Sequence, residues 1–267
     1  MRVADVHAHI FPDTLADKAA RSIGDFYDIE SENRASVSRL AEAEKEAGVG
    51  VTLVCNSAVS AHQAPSINAF VGETVAQNPQ FLGLGSVFPG MEHWEEELER
   101  VQQLGLRGIK IHADFQHVDI DDPSTLEMYR KCARMGLVVL QHMGDNRYDH
   151  SAPRRLWNLK RYVPDLTVIA AHFGGYRRWQ ESLELPMPEG VWYDTSSSLM
   201  FLSPDQAKQL LDKLGIHRFM FGSDFPMWTP KTELERFLSM PLGLSEGERD
   251  AILYGNFARL FGLEGKA

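Results

Sequence analysis

The sequence predicts a single (β/α)₈ barrel that spans residues 1–267. Three observations support this prediction: eight short apolar segments recur at fairly even spacing, helical segments alternate with them, and the length of 267 residues suits the fold. An α/β barrel often fills about 250 residues as one domain. A doubly wound open sheet is the alternative, but no Gly-x-Gly-x-x-Gly motif follows the first predicted strand.

The predicted strands are rich in β-branched and apolar residues, and several are apolar on both faces. Val51–Cys55 and Leu137–Leu140 show this pattern, which is typical of parallel strands that are covered on both sides. The eight predicted strands are Val3–His9, Val49–Ala58, Phe81–Phe88, Leu106–Ala113, Leu137–Gly144, Leu166–Phe173, Val191–Ser197 and Phe219–Asp224.

Helical patterns, with residues that favour helix starts and stops, lie between these strands. A helix is predicted to start at Pro123 and to stop at Gly136, and Ser245 is a candidate N-cap of the last helix. The mixed stretch from Phe11 to Glu32 is predicted to be a loop beside the mouth of the barrel. The predicted helices are Arg34–Ala47, Pro65–Gln77, Glu92–Leu104, Pro123–Met135, Pro153–Tyr162, Asp205–Leu214 and Glu246–Phe261.

Composition argues against several classes of binding partner and against a membrane location. The formal net charge is −10, from 27 basic and 37 acidic residues, and this disfavours a nucleic-acid or anionic membrane surface. No apolar run approaches the roughly 18 residues of a transmembrane helix, and we see no secretory signal. Cys55 and Cys132 imply no disulfide framework. We therefore expect a cytoplasmic protein with a small-molecule substrate, without nucleic-acid or membrane partners; a homodimer is a generic possibility.

The first predicted strand ends in two histidines, His7 and His9. Side chains two residues apart on a strand point the same way, whereas on a helix they would diverge. The pair can therefore hold one metal ion if the segment is a strand.

Histidines and acids recur at the carboxyl ends of the later predicted strands as well. They are Lys110, His112 and Asp114 on the fourth strand, His142 on the fifth, His172 on the sixth, Asp194 on the seventh and Asp224 on the eighth. Active sites of barrels lie at the carboxyl ends of the strands. The pattern therefore predicts one active site that includes the His7 and His9 pair.

The chain resembles the metal-dependent amidohydrolase superfamily, and within it the amidohydrolase-related branch that includes aminocarboxymuconate semialdehyde decarboxylase. One departure from the pattern is Ala113, where many relatives have proline. The motifs that carry the resemblance are Asp5-Val-His7-Ala-His9, Gly108-Ile-Lys110-Ile-His112, His142-Met-Gly-Asp145, Ala171-His172-Phe-Gly-Gly175, Gly222-Ser-Asp224-Phe-Pro226 and Gly255-Asn256-Phe-Ala-Arg259-Leu-Phe-Gly262.

This resemblance implies one divalent metal ion held by His7, His9, His142 and Asp224. Three imidazoles and a carboxylate suit Zn²⁺, although Mn²⁺ and Fe²⁺ are also compatible with these ligands. His172 matches the residue that acts as general base or acid beside the metal. Asp224 is expected to accept a proton from the activated water as well as to bind the ion.

Four further residues are candidates for substrate binding: Lys110, His112, Arg147 and Trp228. We favour an unmodified Lys110 that contacts substrate or orients a ligand in a site with one metal. The alternative is a carboxylated Lys110 that bridges two metals. Arg147 lies on a polar loop and is a candidate to bind a substrate carboxylate.

Two reactions fit such a site. The first is hydrolysis of a small ester, lactone or amide through a metal-activated water. The alternative is non-oxidative decarboxylation of a small unsaturated or aromatic acid. Hydrolysis is favoured because the chain lacks an evident basic cluster for a dicarboxylate. A metal-storing binding barrel and a TatD-like nuclease are disfavoured, the first by the complete ligand set and the second by the acidic charge.

Overall fold

The computed structural model describes residues 1–31, 33–186 and 188–265, and strands alternate with helices along these residues in the predicted order. The strands are β1 (Ala4–His9), β2 (Val51–Cys55), β3 (Phe81–Gly83), β4 (Gly108–Ile111), β5 (Val138–Gln141), β6 (Val168–Ala170), β7 (Val191–Asp194) and β8 (Phe219–Met220).

The helices confirm most of the predicted segments. They are α1 (Asp13–Tyr27), α2 (Val37–Ala47), α3 (Ala64–Gln77), α4 (Trp94–Gln103), α5 (Ala113–Gln116), α6 (Pro123–Met135), α7 (Pro153–Tyr162), α8 (Trp179–Glu184), α9 (Pro204–Leu214), α10 (Pro230–Ser239), α11 (Glu246–Asp250) and α12 (Asn256–Phe261). No helix is predicted from the sequence at α5, α8 or α10. The first two are too short for a helical period to be recognised.

The predicted loop from Phe11 to Glu32 is wrong over most of its length, because this stretch contains α1. Glu32 itself lies outside the described residues. The buried face of α1 consists of the small residues Ala16, Ala20 and Gly24. The sequence of α1 does carry an apolar stripe at helical spacing, Ala16, Ala20 and Ile23, but most of its members are small.

β1 ends at His9 as predicted, but the other strands end earlier, and several of the polar residues that follow them lie in loops. His142, His172 and Asp224 all come after the last residue of β5, β6 and β8. His172 and Asp224 have φ angles of 60° and 59°, a left-handed conformation that strand pairing does not accommodate. The chain therefore leaves the sheet at or before these side chains.

The chain divides into two compact units, Met1–Val54 with Asp194–Ala267, and Cys55–Tyr193. In the first unit β1 is hydrogen-bonded to β2 and contacts β8. The N–H of Val6 donates to the carbonyl of Phe221 at 2.9 Å. This pairing continues beyond β8, where Ala8 and Phe225 form a parallel bridge.

In the second unit β4, β5, β6 and β7 form a parallel sheet in that order. Their central side chains, such as Val139 and Ile169, are fully buried, as the apolar runs predicted. At Gly108 a Cβ atom would lie 1.8 Å from the carbonyl oxygen of Val138. Only glycine therefore allows β4 to approach β5 at this register.

The predicted last helix, Glu246–Phe261, is helical throughout but contains a π-helical turn at Ala251–Gly255. Ser245 is its N-cap, in a capping box with Glu248. The carbonyl of Ile252, inside the π turn, accepts a hydrogen bond from the N–H of Phe221 at 2.9 Å. The π turn thus connects the last helix to the residue that follows β8.

Other sequence expectations concern membranes, cysteines and domains. None of the helices described is long and apolar enough to cross a membrane. Cys55 and Cys132 are buried free thiols. The interpretation of residues 1–267 as one domain stays a prediction.

Glu44 on α2 generates a prediction about pH and stability. Burial, aided by the negative charge of Asp5, raises the pKa of Glu44 from 4.5 to about 8. Between these values the folded state binds the extra proton, so the free energy of unfolding falls by about 1.4 kcal/mol per pH unit as pH rises. Glu44→Gln removes this titration. From about pH 5 to about pH 8 the variant should lose about 2–4 kcal/mol less stability than the wild type in urea unfolding.

The matched control is Glu42→Gln on the exposed face of α2, where the side chain is 68% accessible. This variant should follow the pH dependence of the wild type. Equal pH dependence of Glu44→Gln and the wild type would contradict the prediction.

Candidate metal centre

His7 and His9 on β1 project to the same side of the strand, as their spacing predicted. Their Nε2 atoms lie 3.2 Å apart, and the ring centroids are separated by 5.1 Å. The side chain of His7 is fully buried and that of His9 is 14% exposed. Two imidazole nitrogens thus converge on one point.

Asp224 brings a carboxylate to the same point within the first unit. Its Oδ1 lies 3.5 Å from Nε2 of His7 and 3.5 Å from Nε2 of His9. The backbone fixes this arrangement, because the N–H of Asp224 donates to the carbonyl of His7 at 2.8 Å. The N–H of His9 likewise donates to the carbonyl of Phe225 at 2.7 Å.

The spacing of these three ligand atoms fits a small divalent metal ion. Bonds of about 2.0–2.1 Å at tetrahedral angles place neighbouring ligand atoms about 3.3 Å apart. The separations in the first unit are 3.2, 3.5 and 3.5 Å. Two imidazoles and one carboxylate are also ligands that zinc accepts. The residues therefore fit the group that the resemblance implies.

Asp194 determines which nitrogen of His7 faces this point. Its Oδ2 lies 2.8 Å from His7 Nδ1, and both side chains are fully buried. Ser196 Oγ donates to the other oxygen of Asp194 at 2.7 Å and lies 3.1 Å from His7 Nδ1. A carboxylate only accepts hydrogen bonds, so His7 Nδ1 bears the proton and Nε2 bears the lone pair. The nitrogen directed at His9 and Asp224 is therefore the one that can bind a metal.

Asp5 supports the backbone of the centre rather than a ligand side chain. Its Oδ1 accepts hydrogen bonds from the N–H groups of His7 and Ser223, each at 3.0 Å. Burial raises the pKa of Asp5 to about 7, against the effect of these hydrogen bonds. Asp5 thus connects β1 to the segment that bears Asp224.

The second unit brings the predicted ligand His142 next to the predicted base His172. Nε2 of His142 lies 3.1 Å from the carbonyl oxygen of Gly144, which only accepts, so Nδ1 of His142 bears the lone pair. This Nδ1 lies 3.0 Å from Nε2 of His172. The indole N–H of Trp179 donates to the carbonyl of His172 at 2.9 Å. Roles for His142 as ligand and His172 as base stay predictions.

His112 stacks between two rings in the second unit. Its ring centroid lies 3.7 Å from that of Phe115 and 3.8 Å from that of His142, with an angle of 10° between the two imidazole planes. His112, Asp114 and His142 have possible ligand atoms within 4.8 Å of one another. However, a metal lies in the plane of each imidazole that binds it, and stacked parallel rings share no such point. We therefore do not interpret this group as a second metal centre.

The other predicted substrate contacts have different surroundings. Lys110 on β4 is buried, and both alternatives for it stay predictions. Arg147 forms a bidentate pair with Asp145, with Nε to Oδ1 at 3.0 Å and Nη2 to Oδ2 at 2.7 Å. The guanidinium of Arg236 lies 4.4 Å from the ring centroid of Trp228. The buried indole nitrogen of Trp228 has no hydrogen-bond partner among the described residues.

The hydrogen bonds that orient the His7 ring were not predicted from the sequence. The sequence places Asp194 at a strand end without a role, and it assigns nothing to Ser196. One feature of the sequence could have indicated these hydrogen bonds: the hydroxyl residues Thr195–Ser198 directly follow an acid at the end of a predicted strand. Side chains in that position can orient ligands through hydrogen bonds.

The chain is similar in sequence to a known protein family and to a known enzyme. A family model described as amidohydrolase matches residues 4–263. The 2-amino-3-carboxymuconate-6-semialdehyde decarboxylase of Dictyostelium discoideum is 34% identical over 82 residues, which make up 30% of this chain. The matched segment spans only 23% of the length of that relative.

Solved structures with similar folds match nearly the whole chain. An uncharacterized TIM-barrel protein from Bordetella bronchiseptica is 18% identical, covers 100% of both chains and has a TM-score of 0.78. A dihydroxybenzoic acid decarboxylase from Polaromonas with bound manganese is 17% identical, covers 98% of this chain and 97% of its own, and has a TM-score of 0.75. A candidate 2-pyrone-4,6-dicarboxylic acid hydrolase from Pseudomonas putida is 19% identical, covers 98% of both chains and has a TM-score of 0.68. The predicted barrel fold is confirmed, and the doubly wound alternative is wrong.

The hydrogen bond between His7 and Asp194 generates a prediction about metal affinity. Asp194→Ala removes the acceptor that fixes the His7 tautomer, and we expect Zn²⁺ affinity to fall about 10–100-fold. Competition with a chromophoric chelator measures this change. Asp250→Asn, at an exposed position of the first unit, is the control and should keep wild-type affinity. Unchanged affinity in Asp194→Ala would show that Asp194 does not orient a ligand.

Proposed function

Because the chain belongs to the amidohydrolase family, whose model matches residues 4–263, we propose that it is a metal-dependent hydrolase of a small ester, lactone or amide. One observation supports this proposal above all others: the convergence of His7, His9 and Asp224 at the spacing of ligands around one ion. We therefore propose this point as the centre of the chemistry of an amidohydrolase-superfamily enzyme.

We propose one divalent ion at this centre, with Zn²⁺ as the first candidate and Mn²⁺ or Fe²⁺ as alternatives. His7, His9 and Asp224 would hold it, and the resemblance adds His142 as a fourth ligand. When bound, such an ion acts as a Lewis acid that polarises a carbonyl oxygen and makes water a stronger nucleophile near neutral pH.

The chain supplies the remaining steps through its own side chains. Asp194 keeps His7 in the tautomer that binds the ion. His172 takes a proton from the attacking water and returns it to the leaving group, a role that suits the ordinary pKa of histidine. Asp224 is proposed as a second acceptor of that proton.

Substrate binding is assigned to Lys110, His112, Arg147 and Trp228. The indole N–H of Trp228 is a donor of the kind that orients a carbonyl oxygen. Arg147 already pairs with Asp145 through two hydrogen bonds, so a substrate carboxylate would have to displace that acid. This favours a substrate without a carboxylate at Arg147. A small-molecule substrate, a cytoplasmic location and a homodimer complete the proposal.

Non-oxidative decarboxylation is the second candidate. It is favoured by the 34% identity over 82 residues to a decarboxylase. In this reaction the bond between the carboxylate and its carbon breaks, CO₂ leaves, and His172 delivers a proton to that carbon. The same ligands serve both reactions, so substrate trials must separate them.

The first test is the metal content of the purified protein by elemental mass spectrometry. We expect about one divalent ion per chain in the wild type, and a loss in His9→Ala and Asp224→Ala, since each removes a ligand. His142→Ala tests the ligand assigned by the resemblance. His62→Ala, at an exposed position, is the control. Two ions per chain would favour a carboxylated Lys110, and no uptake of metal would contradict the proposed function.

A second test separates the two reactions. The loaded enzyme is incubated in ¹⁸O-labelled water with esters, lactones and amides, and separately with carboxyl-labelled unsaturated and aromatic acids. Hydrolysis places ¹⁸O in the acid product, whereas decarboxylation releases labelled CO₂. We expect ¹⁸O incorporation; labelled CO₂ without it would replace the hydrolase by the second candidate.

His172→Asn tests the proposed proton transfer. Because general acid–base catalysis contributes about 10²–10⁴-fold, kcat should fall by that factor. Metal content should stay at the wild-type value, since the proposal does not make His172 a ligand. A fall in kcat of less than threefold would remove His172 from the reaction.

A further inference from the structure

Ser197 contacts the Asp224 carboxylate of the proposed metal centre, at the oxygen that does not face His7 and His9. Its Oγ donates a hydrogen bond of 2.6 Å to Oδ2 of Asp224. The opposite oxygen, Oδ1, is the one that lies 3.5 Å from the Nε2 atoms of His7 and His9. The two oxygens of Asp224 therefore have different surroundings.

The neighbouring hydroxyls have different partners. Ser196 Oγ donates to Asp194 at 2.7 Å, and Ser198 Oγ donates to the carbonyl of Ser196 at 2.8 Å. Ser197 is the member of the run Thr195–Ser198 whose hydroxyl donates to Asp224. Ser198 therefore provides a matched control, because it is an adjacent serine with a purely local hydrogen bond.

The backbone of Ser197 adopts a conformation that is unusual for serine. Its φ angle is 47°, and that of Asp224 is 59°. Non-glycine residues in this left-handed region are strained by about 1 kcal/mol or more, and such strain concentrates at functional sites. Ser197 is nevertheless buried, with 5% exposure. The strain is explained if the hydroxyl is required at Asp224.

A carboxylate can bind a metal through one oxygen or through two, and the choice changes the coordination number. Zinc in proteins is mostly four-coordinate, whereas manganese favours octahedral oxygen-rich sites. A short hydrogen bond to Oδ2 uses a lone pair of that oxygen and fixes the rotation of the carboxylate. Binding through Oδ1 alone is then favoured.

We propose that Ser197 is a positioning residue that keeps Asp224 a one-oxygen ligand and so sets the preference of the centre for zinc over manganese. This inference rests on the proposed metal centre. Removal of the hydroxyl frees Oδ2 to approach the ion, and the resulting higher coordination number favours manganese.

The experiment compares Ser197→Gly, Ser197→Ala, Ser198→Ala and the wild type as full-length proteins. Each is equilibrated with Zn²⁺ and Mn²⁺ in competition, and the bound ratio is measured by elemental mass spectrometry. Both Ser197 variants should lower the preference for zinc about tenfold or more, within the range of ligand-orienting contacts. Ser198→Ala should keep the wild-type ratio.

A second readout reports coordination directly. Four-coordinate Co²⁺ absorbs visible light more strongly than five- or six-coordinate Co²⁺. The Co²⁺ form of both Ser197 variants should therefore absorb less than that of the wild type. Thermal unfolding of the metal-free proteins separates hydroxyl from backbone effects, because glycine adopts φ of 47° without strain. Ser197→Gly should be at least as stable as Ser197→Ala, while the two share one metal preference.

Three outcomes would overturn the inference. A wild-type metal ratio and Co²⁺ spectrum in both Ser197 variants would exclude a role for the hydroxyl. A changed ratio in Ser197→Ala but not in Ser197→Gly would assign the effect to the backbone. A wild type that binds none of these ions would overturn the proposed function together with the inference, so the two failures are distinguishable.

Discussion

Parallel pairing between β1 and the segment after β8 is the constraint on which the proposed metal centre depends. Two backbone hydrogen bonds hold the pairing at the candidate ligands themselves, from Asp224 to the carbonyl of His7 and from His9 to the carbonyl of Phe225. Asp5 adds a third connection, because it accepts from the N–H groups of both His7 and Ser223. Ligands fixed by the backbone need little rearrangement when an ion binds.

Hydrogen bonds from neighbouring side chains orient the candidate ligands. Asp194 fixes the tautomer of His7, and Ser197 contacts one oxygen of Asp224. Ser197 and Asp224 both have left-handed backbone conformations, and the predicted base His172 has one as well. Their occurrence at candidate functional positions indicates that orientation of these side chains outweighs a small loss of stability.

The family match over residues 4–263 narrows the function to a superfamily but not to a reaction. Decarboxylases and a candidate hydrolase share this fold at 17–19% identity, and fold alone does not determine chemistry. The difference must lie in the side chains that contact the substrate. Arg147 illustrates this, since its pairing with Asp145 changes what it can offer a carboxylate.

The sequence by itself determined the order of the strands, the barrel class and the His7 and His9 pair, because hydrophobic periodicity and strand alternation are local properties. It did not determine where the strands end, since the left-handed turns at His172 and Asp224 depend on tertiary contacts. It also missed α1, whose buried face consists of small residues. Only the tertiary structure placed Asp194 and Ser197 beside candidate ligands 187 and 27 residues away, because contacts between distant segments leave no periodic signal.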